Sequence, residues 1–315
     1  MPRADSRESR RLAGSAASQI SNRRRFGMAD SLHLIERFSV FAFLVSSMLG
    51  TGLSLTLRAI LAPLRDIRFV LVALGLNFVL APSFAWLLTL IIPLQRGQAI
   101  GLLLLGGAAG APFLPTLAKT ARGDLGFSVA LMTLLTVGTI LFMPFALPVM
   151  IPGLQANPWG IARPLLLLIL LPLILGMLIA ARASRLAGRA APVVMKVGNA
   201  FLLLLFVLLV GLNVHSLLAL LGSGAIAAVV FYILALFGAG WILGGAKPEV
   251  RGVVGLATAA RNFGAALVPA ASNFRDPSVT VMLIISAIVC LVISFIAARW
   301  LRRRMALAAG RIVCE

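Results

Sequence analysis

The sequence predicts an all-α integral membrane protein with about nine transmembrane helices, and three observations predict it. Apolar residues make up 61% of the 315 positions and charged residues 12%, about half the charge share of a soluble domain. The charges punctuate apolar runs of roughly 20 residues, the length a helix needs to cross a ~30 Å hydrocarbon layer. Cysteine and histidine build no competing framework. Cys290 and Cys314 stand apart, and His33 and His215 are isolated near span ends, where an interfacial polar role suits them.

Arg37 and Arg58 bracket the first run, Arg68 and Arg96 the second, Arg96 and Lys119 the third. The fourth occupies residues 127–150 and leads into a loop with Pro152 and Pro158; the fifth lies between Arg163 and Arg182. The interval from Lys196 to Lys247 is too long for one crossing and is expected to fold back near residues 213–216, giving the sixth and seventh. The eighth covers 252–274 and the ninth 277–298. Residues 31–300 thus form the membrane domain. A basic tail at 1–30, expected to be disordered and with Met28 as an alternative start, precedes it, and a cytoplasmic basic tail at 301–315 follows.

Lys and Arg number 28 against 9 Asp and Glu. Clustered on a soluble face, that excess would point to nucleic acid. Spread between apolar runs it sets orientation instead, because cations are retained on the cytoplasmic side. With Arg299, Arg302, Arg303, Arg304 and Arg311 inside, most loop cations share that side and only Arg96, Arg163 and Arg275 fall opposite. The expected setting is the plasma membrane, as a bacterial inner-membrane protein with a cytoplasmic C-terminus. Nine spans place the N-terminus outside, in conflict with the seven arginines of residues 1–25; initiation at Met28 or a disordered tail resolves it. Arg23, Arg24 and Arg25 resemble a twin-arginine signal, but His33, Glu36 and Arg37 separate them from the apolar run.

A short internal echo links two span starts. Arg122-Gly123-Asp124 precedes Ser128-Val129, and Arg275-Asp276 precedes Ser278-Val279. The copies open the fourth and ninth spans, five spans apart, so they run in opposite directions, the arrangement of inverted-repeat transporters.

Three segments carry chemistry. The third span contains Gly106 to Thr116 (GGAAGAPFLPT), where Pro112 and Pro115 remove backbone donors and glycines loosen the helix. A break is expected there, tolerated only if protein or a water-filled cavity surrounds it; small-residue helix packing accounts for the glycines alone. The eighth span holds Thr258, Arg261 and Asn262, with Arg261 about nine residues from either end. A cation at that depth costs at least ~2.5 kcal/mol and must face a cavity or find acceptors such as freed carbonyls. It serves as an anion anchor, as a substitute for a coupling cation, or as a cap on broken helix ends. Asn77 precedes Pro82 near mid-depth of the second span and is either a ligand contact or an interhelical bond. Thr133, Thr136 and Thr139 share one face of the fourth span, with back-bonding to helix carbonyls as the plainer use.

No predicted span contains Asp or Glu. A proton relay or carboxylate-held ion site normally needs one, and no catalytic grouping can be assembled, so the protein is not expected to be an enzyme.

These motifs resemble the bile acid:sodium symporter family over roughly residues 38–300. The likeness rests on Met48 to Leu53 (MLGTGL), Asn77 to Pro82 (NFVLAP), the Gly-rich third span ending in Ala121 to Asp124 with Ser128-Val129, and the span around Arg261-Asn262. It implies two inverted five-helix repeats forming panel and core domains, two broken helices crossing in the core, and a first helix that this chain lacks. It also implies ion ligands at Asn77, Ser128 and Asn262, while the family's other ligand positions fall on Leu114, Pro115, Met132, Ala257 and Arg261. The expected function is alternating-access transport of a small organic anion, with a channel or a non-transporting sensor as competitors. Expected substrate contacts are Asn77, Pro112, Pro115, Thr116, Ser128, Thr133, Thr258, Arg261 and Asn262. No cofactor is expected; sodium is the candidate ion, held by a vestigial site of Asn77, Ser128 and Asn262. The partners are the organic anion and the lipid bilayer, without nucleic acid.

Overall fold

The computed structural model describes residues 32, 34–55, 67–151, 157–212, 214, 222–274 and 276–312. The described residues form helices and short links, with no strand among them. Among the described residues eight segments are long and apolar enough to cross a membrane, the divided helix at Pro248–Asn273 counted as one of them. The sequence-based count of nine includes one further pair of shorter helices. His33, Arg58, Arg65, Pro152, Asn213, His215, Arg275, Cys314 and residues 1–30 lie outside the described set.

Helix α1 spans Leu34–Leu53 and α2 spans Ile67–Ile91. Within α2 one π turn, Leu76–Leu80, ends with the Ala81 N–H donating to Leu76, a residue before Pro82. Proline blocks the preceding α-turn, and the wider turn absorbs the mismatch. The third run is two helices, α3 (Arg96–Gly107) and α4 (Leu114–Ala121), each too short to cross alone. Between them Ala108 is extended and Gly110 has φ +81°. Pro115 falls in the first turn of α4, where a missing N–H goes unneeded. Helix α5 follows as Leu125–Met150 and α6 as Pro158–Arg182, with α7 (Ser184–Leu212) beginning well before Lys196.

Helix α8 covers Ala225–Leu243. The eighth run is again divided, into α9 (Pro248–Ala259) and α10 (Phe263–Asn273). No Gly or Pro forces this break; Ala260 is extended and the Asn262 side chain caps α10 by accepting from the Ala265 N–H at 3.0 Å. Helix α11 (Pro277–Ile312) runs far beyond the expected end at 298, so residues expected as a tail are helical through Ile312.

Helix α1 packs on α6 and α7 through glycines. A Cβ on Gly52 would overlap the Leu173 carbonyl, and one on Gly176 would meet the Leu49 carbonyl at 2.5 Å. The divided helices lie elsewhere, with α8 along α9 and α11 along α3 and α4. Pro248–Asn273 is the most deeply buried of the eight membrane-crossing segments. Both echo motifs act as caps: Asp124 accepts from Phe127 N at 2.9 Å, and Asp276 from Ser278 N at 2.9 Å and Ser278 Oγ at 2.6 Å.

Candidate functional site

The two helix breaks meet. The Asn262 N–H donates to the Ala108 carbonyl at 3.0 Å, and Asn262 Nδ2 to the Gly110 carbonyl at 3.1 Å. The broken backbone of 108–110 is further gripped from α5. Thr139 Oγ1 accepts from the Ala109 N–H at 2.9 Å and donates to the Ala109 carbonyl at 3.0 Å, while Thr136 Oγ1 lies 3.1 Å from the Gly110 carbonyl. The Ala108, Ala109 and Gly110 carbonyls and the Ala109 N–H, opened by a break inside an apolar interior, thus find partners within the protein, as lipid demands. Gly110 is required on two grounds, its positive φ and the Thr136 N and Oγ1 that a Cβ would meet at 2.5 Å.

Arg261 lies beside this junction with no exposed surface. Its Nε donates to the Leu105 carbonyl at 3.1 Å and Nη2 to the Gly106 carbonyl at 2.6 Å. Those carbonyls lie at the negative C-terminal end of α3, where that of Leu105 also accepts from the Ala108 N–H at 3.1 Å. Nη1 donates to Asn77 Oδ1 at 2.9 Å and reaches the Thr258 carbonyl at 3.4 Å. The buried cation thus finds its acceptors in freed carbonyls and one amide. Asn77, in the π turn of α2, returns its Nδ2 to the Ala73 carbonyl at 3.0 Å. One guanidinium consequently ties α2, α3 and α9 together. Behind it, buried Tyr232 of α8 donates to the Ala81 carbonyl at 3.2 Å, and Cys290 Sγ lies 3.5 Å from the Ala259 carbonyl.

The other expected contacts divide by position. Thr258 and Thr133 are buried and donate to carbonyls of their own helices, Val254 at 2.9 Å and Val129 at 2.9 Å. Ser128 is buried and donates to Leu125 at 2.7 Å; among the described residues no hydrogen bond joins it to Asn77 or Asn262. Pro112 and Pro115 are half-buried and Thr116 is exposed at the start of α4. The junction also uses groups that sequence reasoning did not place in the site: Thr136, Thr139, Gly110 and the carbonyls of Leu105 and Gly106. The threonine repeat signalled the first two; backbone carbonyls carry no signal of their own.

No curated protein matches the chain. A family model, that of the sodium bile acid symporter family, matches residues 41–220. The match takes in Asn77, the first break and the α5 threonines, and stops short of Arg261. Together with eight apolar helices of membrane-crossing length, it identifies a multi-pass membrane protein. With more than half of its residues matched, the chain belongs to the sodium bile acid symporter family, whose members are transporters.

Proposed function

We propose that this protein is a secondary transporter of a small organic anion, working by alternating access, in which Arg261 stands where relatives hold coupling cations. The Arg261 clamp carries this reading: a permanent positive charge, bonded to Leu105, Gly106 and Asn77 at the junction of two helix breaks. A bound sodium ion would ask the same carbonyl and amide oxygens for coordination, and the guanidinium already occupies them. Among the described spans no carboxylate neutralises it. At an effective dielectric of 20, an anion about 8 Å away would gain ~2 kcal/mol from this charge. Pro112, Pro115 and Thr116 are the expected contacts with exposed surface, and they are the residues assigned here to the substrate.

In this reading α1, α6 and α7 form the panel, and α2 to α5 with α8 to α11 form a core of inverted repeats. Reciprocal packing supports the repeat. Gly97, starting α3, abuts Asp276 and Ser278 at the start of α11, and Gly123, preceding α5, abuts Val253 and the Glu249 carbonyl of α9. Counting α3 with α4 as one crossing gives nine, with the α11 C-terminus cytoplasmic in a bacterial inner membrane and the N-terminus outside.

The test is uptake into proteoliposomes, with the anion first found by thermal-shift screening. Uptake is expected to be indifferent to replacing sodium by choline. A steep sodium dependence would remove Arg261 from its assigned role, and single-channel conductance would replace the transporter by a channel.

A further inference from the structure

Where the end of α8 meets α11, two tryptophans and two arginines form one stack. Trp241 and Trp300 meet edge to face at 5.7 Å. The Arg251 guanidinium carbon sits 3.8 Å from the Trp241 ring centroid, and that of Arg304 sits 4.4 Å from Trp300 and 5.6 Å from Trp241. Arg251 Nε donates to the Trp241 carbonyl, which fixes the plane of the guanidinium. Its two Nη groups make no hydrogen bond to the described residues, and no described carboxylate pairs with either arginine. Glu249, the acidic residue of the first turn of α9, is exposed and unbonded to them. Lys247, Arg302 and Arg303 are exposed nearby in sequence.

We propose that this stack is a binding site for the phosphate headgroup of an anionic phospholipid. An arginine fork matches two phosphate oxygens, and stacking holds both forks ready without a protein anion to fill them. A lipid source is favoured over an acidic protein by the face of α11 leading to the stack. Val292, Ile296, Trp300 and Arg304 recur every fourth residue and so form one ridge slanting along α11. Val292 is 53% exposed, Ile296 62% and Trp300 38%. From Val292 to Arg304 the helix rises about 18 Å, slightly more than half a bilayer's hydrocarbon core. An acyl chain, the interfacial tryptophan and the phosphate therefore each find their counterpart in order.

The chain's four tryptophans are Trp86, Trp159, Trp241 and Trp300. A Trp86→Phe/Trp159→Phe protein in nanodiscs reports on the stack alone. Brominated phosphatidylglycerol at equal mole fraction should quench its fluorescence more than brominated phosphatidylcholine, with a local enrichment of roughly fivefold per arginine. Arg251→Gln/Arg304→Gln should equalise the two lipids. Should that variant fail to elute as a monodisperse species, Arg304→Gln alone, at an exposed position, should lose about half of the preference on a logarithmic scale. Equal quenching in the parent protein would overturn the proposal. A preference abolished by inorganic phosphate would assign the site to a soluble anion, and one unchanged by the substitutions would show that these arginines do not contact the headgroup; either result would overturn it as well.

Discussion

Thr139 holds Ala109 by both of its backbone groups, accepting from the N–H at 2.9 Å and donating to the carbonyl at 3.0 Å. A residue inside the helix break thereby receives from one hydroxyl what a continuous helix would have given it from two turns. Replacing Thr139 by the nearly isosteric valine leaves both groups buried and unpaired, at about 1–3 kcal/mol each. Thr139→Val should lower the Tm in detergent by several degrees. Thr133→Val, which removes only a bond to its own helix, should shift it by little. Equal shifts would show that the hydroxyl does not support the break.

Arg261→Gln strips the Gly106 carbonyl of its donor and loosens α2 from α3, at a cost of about 2–4 kcal/mol. A lower Tm and lost uptake are expected together. Arg261→Lys keeps the charge but offers one compact ammonium to acceptors on three helices, so it should fall between the two. Unfolding and uptake that match the parent protein would take the clamp out of both roles.

Gly110→Ala combines left-handed backbone strain of about 1–2 kcal/mol with overlap against Thr136. The yield of monodisperse protein should collapse. Gly75→Ala makes a useful contrast, since its added methyl meets nothing within 4 Å and its backbone is helical; it should be neutral or stabilising by up to about 1 kcal/mol. Comparable yields for the two would contradict the geometry of the break.

The first break was legible because Pro112 and Pro115 state it chemically. The division of α9 from α10 was not, as Ala260 and Arg261 are ordinary helix formers; only the likeness to a family pointed there, and the capping bond of Asn262 explains it physically. Arg261 announced itself by depth, yet its partners could not be read, because Leu105 and Gly106 contribute carbonyls that every residue has. Thr136 and Thr139 appeared as a helix face without a neighbour. Which element that face meets is a property of packing. The extension of α11 to Ile312 was missed for another reason: the arginines that end an apolar run need not end a helix.

Asn77→Asp places a carboxylate within reach of Arg261 Nη1, which now bonds Asn77 Oδ1 at 2.9 Å. The fold should persist, with the ion pair at least as strong as the present bond, while the field available to an anionic substrate falls. Anion binding, read as the thermal shift induced by saturating ligand, should weaken about tenfold or more. Unaltered affinity would mean that the charge of Arg261 is not felt at the substrate site.

The clamp also sets a schedule for biogenesis. Gly106 and Arg261 are 155 residues apart in the chain, so at about 5–20 residues per second the Gly106 carbonyl at the end of α3 waits roughly 8–30 s for its donor. During that interval the nascent chain holds an opened backbone in or beside the bilayer. When α9 arrives it brings an equally unsuited cation. Neither half is comfortable in lipid alone, and each cures the other's defect, so the protein's membrane insertion is completed late and cooperatively, by the meeting of two segments that a one-helix-at-a-time insertion scheme would reject.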